Sequence, residues 1–200
     1  MNLPNKLTVA RVIMVPVFVG FMSIDNAVSY MFAYAVFTVA AITDYYDGKI
    51  ARDRGIVTNF GRLLDPLADK VLMASGFIMM MQVRELHVPG WTIVAIFTRE
   101  FLVTGGRTIA ASDGVVISAS RSGKLKTIYQ MVYIFVFLLL AIVLRLLEGV
   151  VTDGELMATL LVLVRQSSLI GIIFVAMYTI FSGLDFARTN WHILNLGKDV

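Results

Sequence analysis

The chain contains no cysteine and only two histidines in 200 residues. The first absence excludes a disulfide framework, a thiolate metal site and a cysteine nucleophile. The histidines, His87 and His192, have no partner nearby in sequence, so neither is a candidate for acid–base work. Charge is scarce as well: 16% of residues are Asp, Glu, Lys or Arg, against 58% hydrophobic. A soluble core with a solvated surface needs a more polar balance, and the composition fits the bilayer as solvent. Mean hydropathy is +0.81. The net charge of +3 is what lysine and arginine on a cytoplasmic membrane face produce, and it does not call for nucleic acid. The opening "MNLPNKLTVARVIMVPVFVGFMS" lacks a small-residue cleavage pattern and further apolar runs follow it, so it reads as a retained first span. No repeat, low-complexity tract or linker divides the chain, which is expected to form a single domain over 1–200.

What is present is a set of apolar runs. A helix needs about 20 largely apolar residues to cross a hydrocarbon core of roughly 30 Å. Six segments approach this: 7–24, 27–47, 62–83, 88–109, 125–147 and 163–187. The expected fold is therefore an all-α integral membrane protein with six transmembrane helices. Leu156 to Val164 is apolar too, either a helix extension or an interfacial segment, and Arg165 interrupts it. With both termini on one side, that side collects Lys6, Lys49, Arg52, Arg54, Arg62, Arg107, Arg121, Lys124, Lys126, Arg188 and Lys198. The other side holds Asp25, Arg84, Glu85, Glu148, Asp153 and Glu155. The positive-inside rule makes the termini and the basic loops cytoplasmic.

Five aspartates fall within 26 residues, in "TDYYDGKIARDRGIVTNFGRLLDPLADK", and four of them, Asp44, Asp47, Asp65 and Asp69, form two pairs at helical spacing. Asp44 and Asp47, three apart at the end of span two, share a helix face, and so do Asp65 and Asp69, four apart at the start of span three. A hairpin joined by 48–61 would aim four carboxylates into one volume, where their repulsion requires protonation or a divalent cation. All-oxygen ligation selects hard ions, Mg²⁺ or Mn²⁺, which also bind phosphates. Gly48 and Gly61 remove side chains where a substrate would approach the backbone. Arg52 offers a planar fork for phosphate. A single aspartate at a span end needs no more than the headgroup region; the grouping is what signals phosphoryl chemistry at the cytoplasmic interface.

The pattern Asp44-Tyr-Tyr-Asp47-Gly48-Lys-Ile-Ala51-Arg52, eight residues, Gly61-Arg-Leu-Leu-Asp65-Pro-Leu-Ala-Asp69 resembles, without gap or substitution, the signature of the CDP-alcohol phosphotransferases. "NLPNKLTVARVIMVPVFV", "TREFLVTGGR" and "SGKLKTIYQ" look more narrowly like the branch of that family whose acceptor is glycerol 3-phosphate. The resemblance is weakest after residue 145. It implies a six-helix homodimeric enzyme, surrounded by membrane lipids, that moves a phosphatidyl group from CDP-diacylglycerol to an alcohol and releases CMP. It also implies Asp44, Asp47 and Asp65 as ligands for Mg²⁺ or Mn²⁺, expected as two ions. Asp69 would be the general base and a further metal contact, and Gly48, Ala51, Arg52 and Gly61 would lie against the CDP moiety. The site would face the cytoplasm in a bacterial cytoplasmic membrane.

A dianionic acceptor such as sn-glycerol 3-phosphate needs cations. Arg99 sits beside Glu100 within the fourth apolar run, where a charge costs about 2.5 to 3.5 kcal/mol at mid-membrane. The two either pair with each other and with neighbouring helices, or Arg99 serves a ligand. Arg107 follows two turns later and faces broadly the same way. Arg121 is adequately explained as a membrane-surface cation. Arg107, Lys124 and Lys126 are the acceptor-phosphate candidates, with Arg99 next. Other acceptors in the same chemistry, inositol phosphate or serine, remain open. An intramembrane prenyltransferase would carry its aspartate motifs far apart in a longer chain. A cation transporter would carry acidic residues near mid-span on several helices.

Overall fold

The computed structural model describes residues 3–54, 59–118 and 120–192, with side chains described for 8–43, 67–118 and 120–192. Among them are six helices and no strand: α1 (Leu3–Met22), α2 (Ala27–Arg54), α3 (Asn59–Met80), α4 (Gly90–Ser112), α5 (Arg121–Leu147) and α6 (Gly154–Asn190). Local chemistry sets the starts. Asn26 Oδ1 accepts from the N–H of Ser29 at 2.8 Å, Ser120 Oγ from that of Gly123 at 3.1 Å, and Asp153 Oδ1 from that of Glu155 at 3.0 Å. Each thereby caps a helix whose first amides have no partner of their own.

One boundary differs from that expected, and at another the helix extension holds of the two alternatives left open. The stretch 48–61, read as a connecting loop, is helical on both sides, and its remaining residues 55–58 lie outside the described ones. Ala51, Arg52 and Arg54 are good helix formers and no proline stops α2, so the helix outlasts the apolar run. Leu156 to Val164 is part of α6, an unbroken helix of 37 residues. At 1.5 Å per residue it is ~55 Å long, more than a bilayer core requires.

Among the described residues two helices, α5 and α6, are long and apolar enough to cross a membrane. Valine, leucine, isoleucine and phenylalanine stand outward along α4, α5 and α6, including Leu102, Phe101, Ile170 and Phe181, all more than half exposed. Contiguous apolar surface of this kind marks contact with lipid or another protein.

The chain forms two compact units, Met1–Leu86 with Ile134–Val164, and His87–Tyr133 with Arg165–Val200. In the first, α1 packs on α2 and α3. Its core is aromatic: Phe18 and Phe135 each set their rings 5.4 Å from that of Phe37. Gly76 makes the approach possible, because a Cβ there would lie 2.9 Å from Ile134 Cδ1 and 3.1 Å from the Phe37 ring. At one end of this unit Arg145 collects three connections. Its Nη2 donates to Asp25 at 2.6 Å and lies 2.9 Å from Glu85 Oε1, and its Nη1 donates to Glu148 at 3.1 Å.

In the second unit α4, α5 and α6 are joined by polar pairs between buried faces. Tyr133 Oη and Ser168 Oγ lie 2.8 Å apart, and Gln130 Nε2 donates to Thr179 Oγ1 at 3.3 Å. The buried residues of α6 include Ser168, Ala176, Thr179 and Ser182 while its outward ones are large and apolar, the distribution of helices that pack in lipid through small polar residues.

Candidate active site

The helical register of α2 places Asp44, Asp47, Gly48 and Ala51 along one stripe, and that of α3 places Gly61, Asp65 and Asp69 along another. The side chains of Asp44, Asp47, Asp65, Gly48, Ala51, Arg52 and Gly61 lie outside the described residues. Asp69 is described: it is half-buried, between Ala68 and Leu72, which are fully enclosed. Among the described residues no three acidic or histidine side chains gather to hold a metal, and three of the four motif aspartates are outside that set. The donors the motif offers are all carboxylates, which suits a hard divalent ion.

Arg11 of α1 has no exposed surface, and Thr8, one turn before it, has 1%. Both belong to the unit that carries the aspartates. Neither stood out in the sequence analysis, although an arginine inside the run "LTVARVIMV" is the signal that a buried charge leaves.

The four cations singled out in the sequence belong to the other unit and divide into two pairs. Arg99 and Lys126 are 7% and 8% exposed, and both reach the same oxygen of Glu100: Lys126 Nζ in a close ion pair, Arg99 Nη1 at 3.5 Å. Arg99 Nη2 also donates to Ser182 Oγ at 2.8 Å. It passes α6 at Gly183, where a Cβ would stand 2.7 Å from Arg99 Cγ. The charges expected to need compensation inside the fourth span are thus joined to each other and to α6. Arg107 and Lys124 are placed differently. The Arg107 guanidinium lies over the Phe186 ring, 5.5 Å from its centroid, a cation–π contact. Its Nε is enclosed without a hydrogen-bond partner among the described residues. Lys124 is exposed in the first turn of α5, where the positive end of the helix adds to its attraction for an anion.

Two hollows open in this unit. A mostly apolar one of about 490 Å³ lies between α4 and α6, lined by Leu102, Val103, Ile180 and Leu184 with Arg99 beside them. A polar one of about 260 Å³ lies between 116–120 and the end of α6. Near the latter, Ser122 Oγ donates to Asp185 Oδ2 at 2.5 Å.

Residues 1–153 match the model of the CDP-alcohol phosphatidyltransferase family. The chain belongs to that family. Among its relatives in the CDP-alcohol phosphatidyltransferases, the CDP-diacylglycerol--glycerol-3-phosphate 3-phosphatidyltransferase of Bacillus subtilis is 33% identical over 96% of this chain and 97% of its own. The enzyme of the same name from Rickettsia typhi is 39% identical over 69% of this chain and 76% of its own. A probable phosphatidylglycerophosphate synthase of Mycobacterium tuberculosis is 43% identical over 69% of this chain and 66% of its own.

Proposed function

We propose that the protein transfers the phosphatidyl group of CDP-diacylglycerol to sn-glycerol 3-phosphate, giving phosphatidylglycerophosphate and CMP on the route to phosphatidylglycerol and cardiolipin. The observation that carries this reading is the similarity to a glycerol-3-phosphate phosphatidyltransferase across nearly the full length of both chains, together with the intact motif from Asp44 to Asp69.

In this reading Asp69 takes the proton from the terminal hydroxyl of glycerol 3-phosphate. That oxygen then attacks the phosphatidyl phosphorus as the bond to CMP breaks. Asp44, Asp47 and Asp65, with Asp69 at the edge, would hold Mg²⁺ or Mn²⁺, as two ions. When bound, such ions neutralise charge on the diphosphate and on the departing CMP. Gly48, Ala51 and Gly61 leave room for the CDP moiety and Arg52 binds its phosphates. Arg107 and Lys124 hold the acceptor's phosphate, and Arg99 and Lys126 add positive charge while fixed on Glu100.

The same reading makes the six helices six spans with cytoplasmic termini. The enzyme is then a homodimer in a bacterial cytoplasmic membrane, with its site on the cytoplasmic side. The test is an acceptor panel. Purified protein with CDP-diacylglycerol and Mg²⁺ releases CMP with glycerol 3-phosphate and not with inositol phosphate or serine. Release only with one of the latter would reassign the acceptor, and ion flux without CMP release would replace the enzyme by a transporter.

A further inference from the structure

Arg165 stands exposed on α6, in the same unit as α4. Its Nη2 lies 3.3 Å from Nδ1 of His87, in the connection that leads into α4. No carboxylate lies within ion-pair distance of it among the described residues. An arginine only donates, so Nδ1 accepts and the imidazole in this contact is neutral, with its proton on Nε2. His87 is exposed as well. The pair therefore presents a full positive charge and a further N–H donor, with nothing negative to answer them.

The surroundings are apolar. Val162, one turn before Arg165, and Leu163 and Ile170 are each more than half exposed, so lipid-facing surface continues on both sides of the charge. The next charge along α6 is Asp185, twenty residues on, which is ~30 Å of helix and the thickness of one hydrocarbon core. Asp185, next to the Phe186 that carries Arg107, and Arg165 thus mark the two headgroup levels of this unit. Trp91, four residues after His87 and 53% exposed, is the amphipathic ring that belongs at such a level. A cation placed there takes its counter-ion from the lipid. We propose that Arg165, with His87 beside it, binds the headgroup phosphate of an anionic phospholipid. A zwitterionic lipid would bring its own cation to a place without a carboxylate to receive it, so the site selects net negative charge. This goes beyond the proposed reaction and rests on the reading of α4 and α6 as spans.

The chain has two tryptophans, so Trp191→Phe leaves Trp91 as the reporter in full-length protein reconstituted into bilayers. The probes are phosphatidylglycerol and phosphatidylcholine, each brominated on its acyl chains near the ester and mixed into unbrominated phosphatidylcholine. Brominated phosphatidylglycerol is expected to compete for the place beside Trp91 about 5-fold more strongly, the contribution of one cation at an anionic surface. Arg165→Gln should bring the two lipids to parity, and Arg165→Lys, which keeps the charge, should retain most of the preference. The side chain is exposed, so both variants are expected to fold. Equal quenching by the two lipids before Arg165 is changed, or an undiminished preference in Arg165→Gln, would overturn the proposal. So would bilayers that quench Trp191 in a Trp91→Phe variant and leave Trp91 untouched, because another copy of the chain would then cover this face. Quenching of neither tryptophan would overturn the reading of these helices as spans, and the proposal with it.

Discussion

Lys126, near the start of α5, is bonded to the Glu100 carboxylate of α4, and Arg99 reaches the same oxygen. Two buried cations thus share one anion. Glu100→Ala is expected to destabilise the protein by about 3–5 kcal/mol, since it removes the carboxylate that two buried cations share. In a chain of this size the loss should appear as a fall in melting temperature on the order of 10 °C in detergent. Glu100→Gln combined with Lys126→Met should lose less than the sum of the single changes. Additive losses would show that the pair is not coupled.

Arg107 and Lys124 are expected to behave otherwise, because neither is tied to Glu100. Arg107→Ala and Lys124→Ala should each raise KM for glycerol 3-phosphate roughly 10-fold or more, as a charge-assisted hydrogen bond would. KM for CDP-diacylglycerol should stay near its wild-type value. Lys126→Ala should combine a kinetic defect with a lowered melting temperature. Unchanged acceptor KM in Arg107→Ala or Lys124→Ala would remove that residue from the acceptor site.

Asp69→Asn should lower CMP release by about 10² to 10⁴-fold, the contribution of a positioned base. Its melting temperature should stay close to wild type, because the side chain is only half-buried. Wild-type turnover in this variant would refute Asp69 as the base.

Glu85 gives a pH prediction. Its carboxyl lies in the connection between α3 and α4 and is 4% exposed. Burial holds it above its ordinary value of 4.5; a backbone hydrogen bond and Arg145 oppose the shift, and Glu148 and Asp25 add to it. The folded state therefore binds this proton more tightly than the unfolded state. The stabilisation is complete below about pH 4.5 and is lost as pH rises through the raised value. Glu85→Gln mimics the protonated form. The difference in melting temperature, Glu85→Gln minus wild type, should grow more positive as pH rises through this window, and a flat difference would contradict the assignment.

Much of this was legible in the sequence because the signals were local. The six apolar runs announce the helices, and the spacings 44/47 and 65/69 announce shared faces. The end of α2 lies beyond its apolar run because helix propensity continues through Ala51 and Arg52 after the hydropathy falls. The partnership of Lys126 with Glu100 spans 26 residues and that of Ser122 with Asp185 spans 63. No periodicity within one helix encodes such pairs; they follow from which faces of α4, α5 and α6 meet. Arg99 shows the intermediate case. Its need for compensation could be read from its apolar surroundings, but Ser182 and the gap left by Gly183 could not.

The proposed reaction joins glycerol phosphate to a lipid diphosphate with the help of a divalent ion. Purified protein supplied with CDP-diacylglycerol, Mg²⁺ and radiolabelled glycerol 3-phosphate tests it most directly. Chloroform-extractable label is expected to appear mole for mole with CMP, abolished by EDTA and restored by excess Mg²⁺. CMP release with no label in the lipid phase, or labelling indifferent to EDTA, would contradict it.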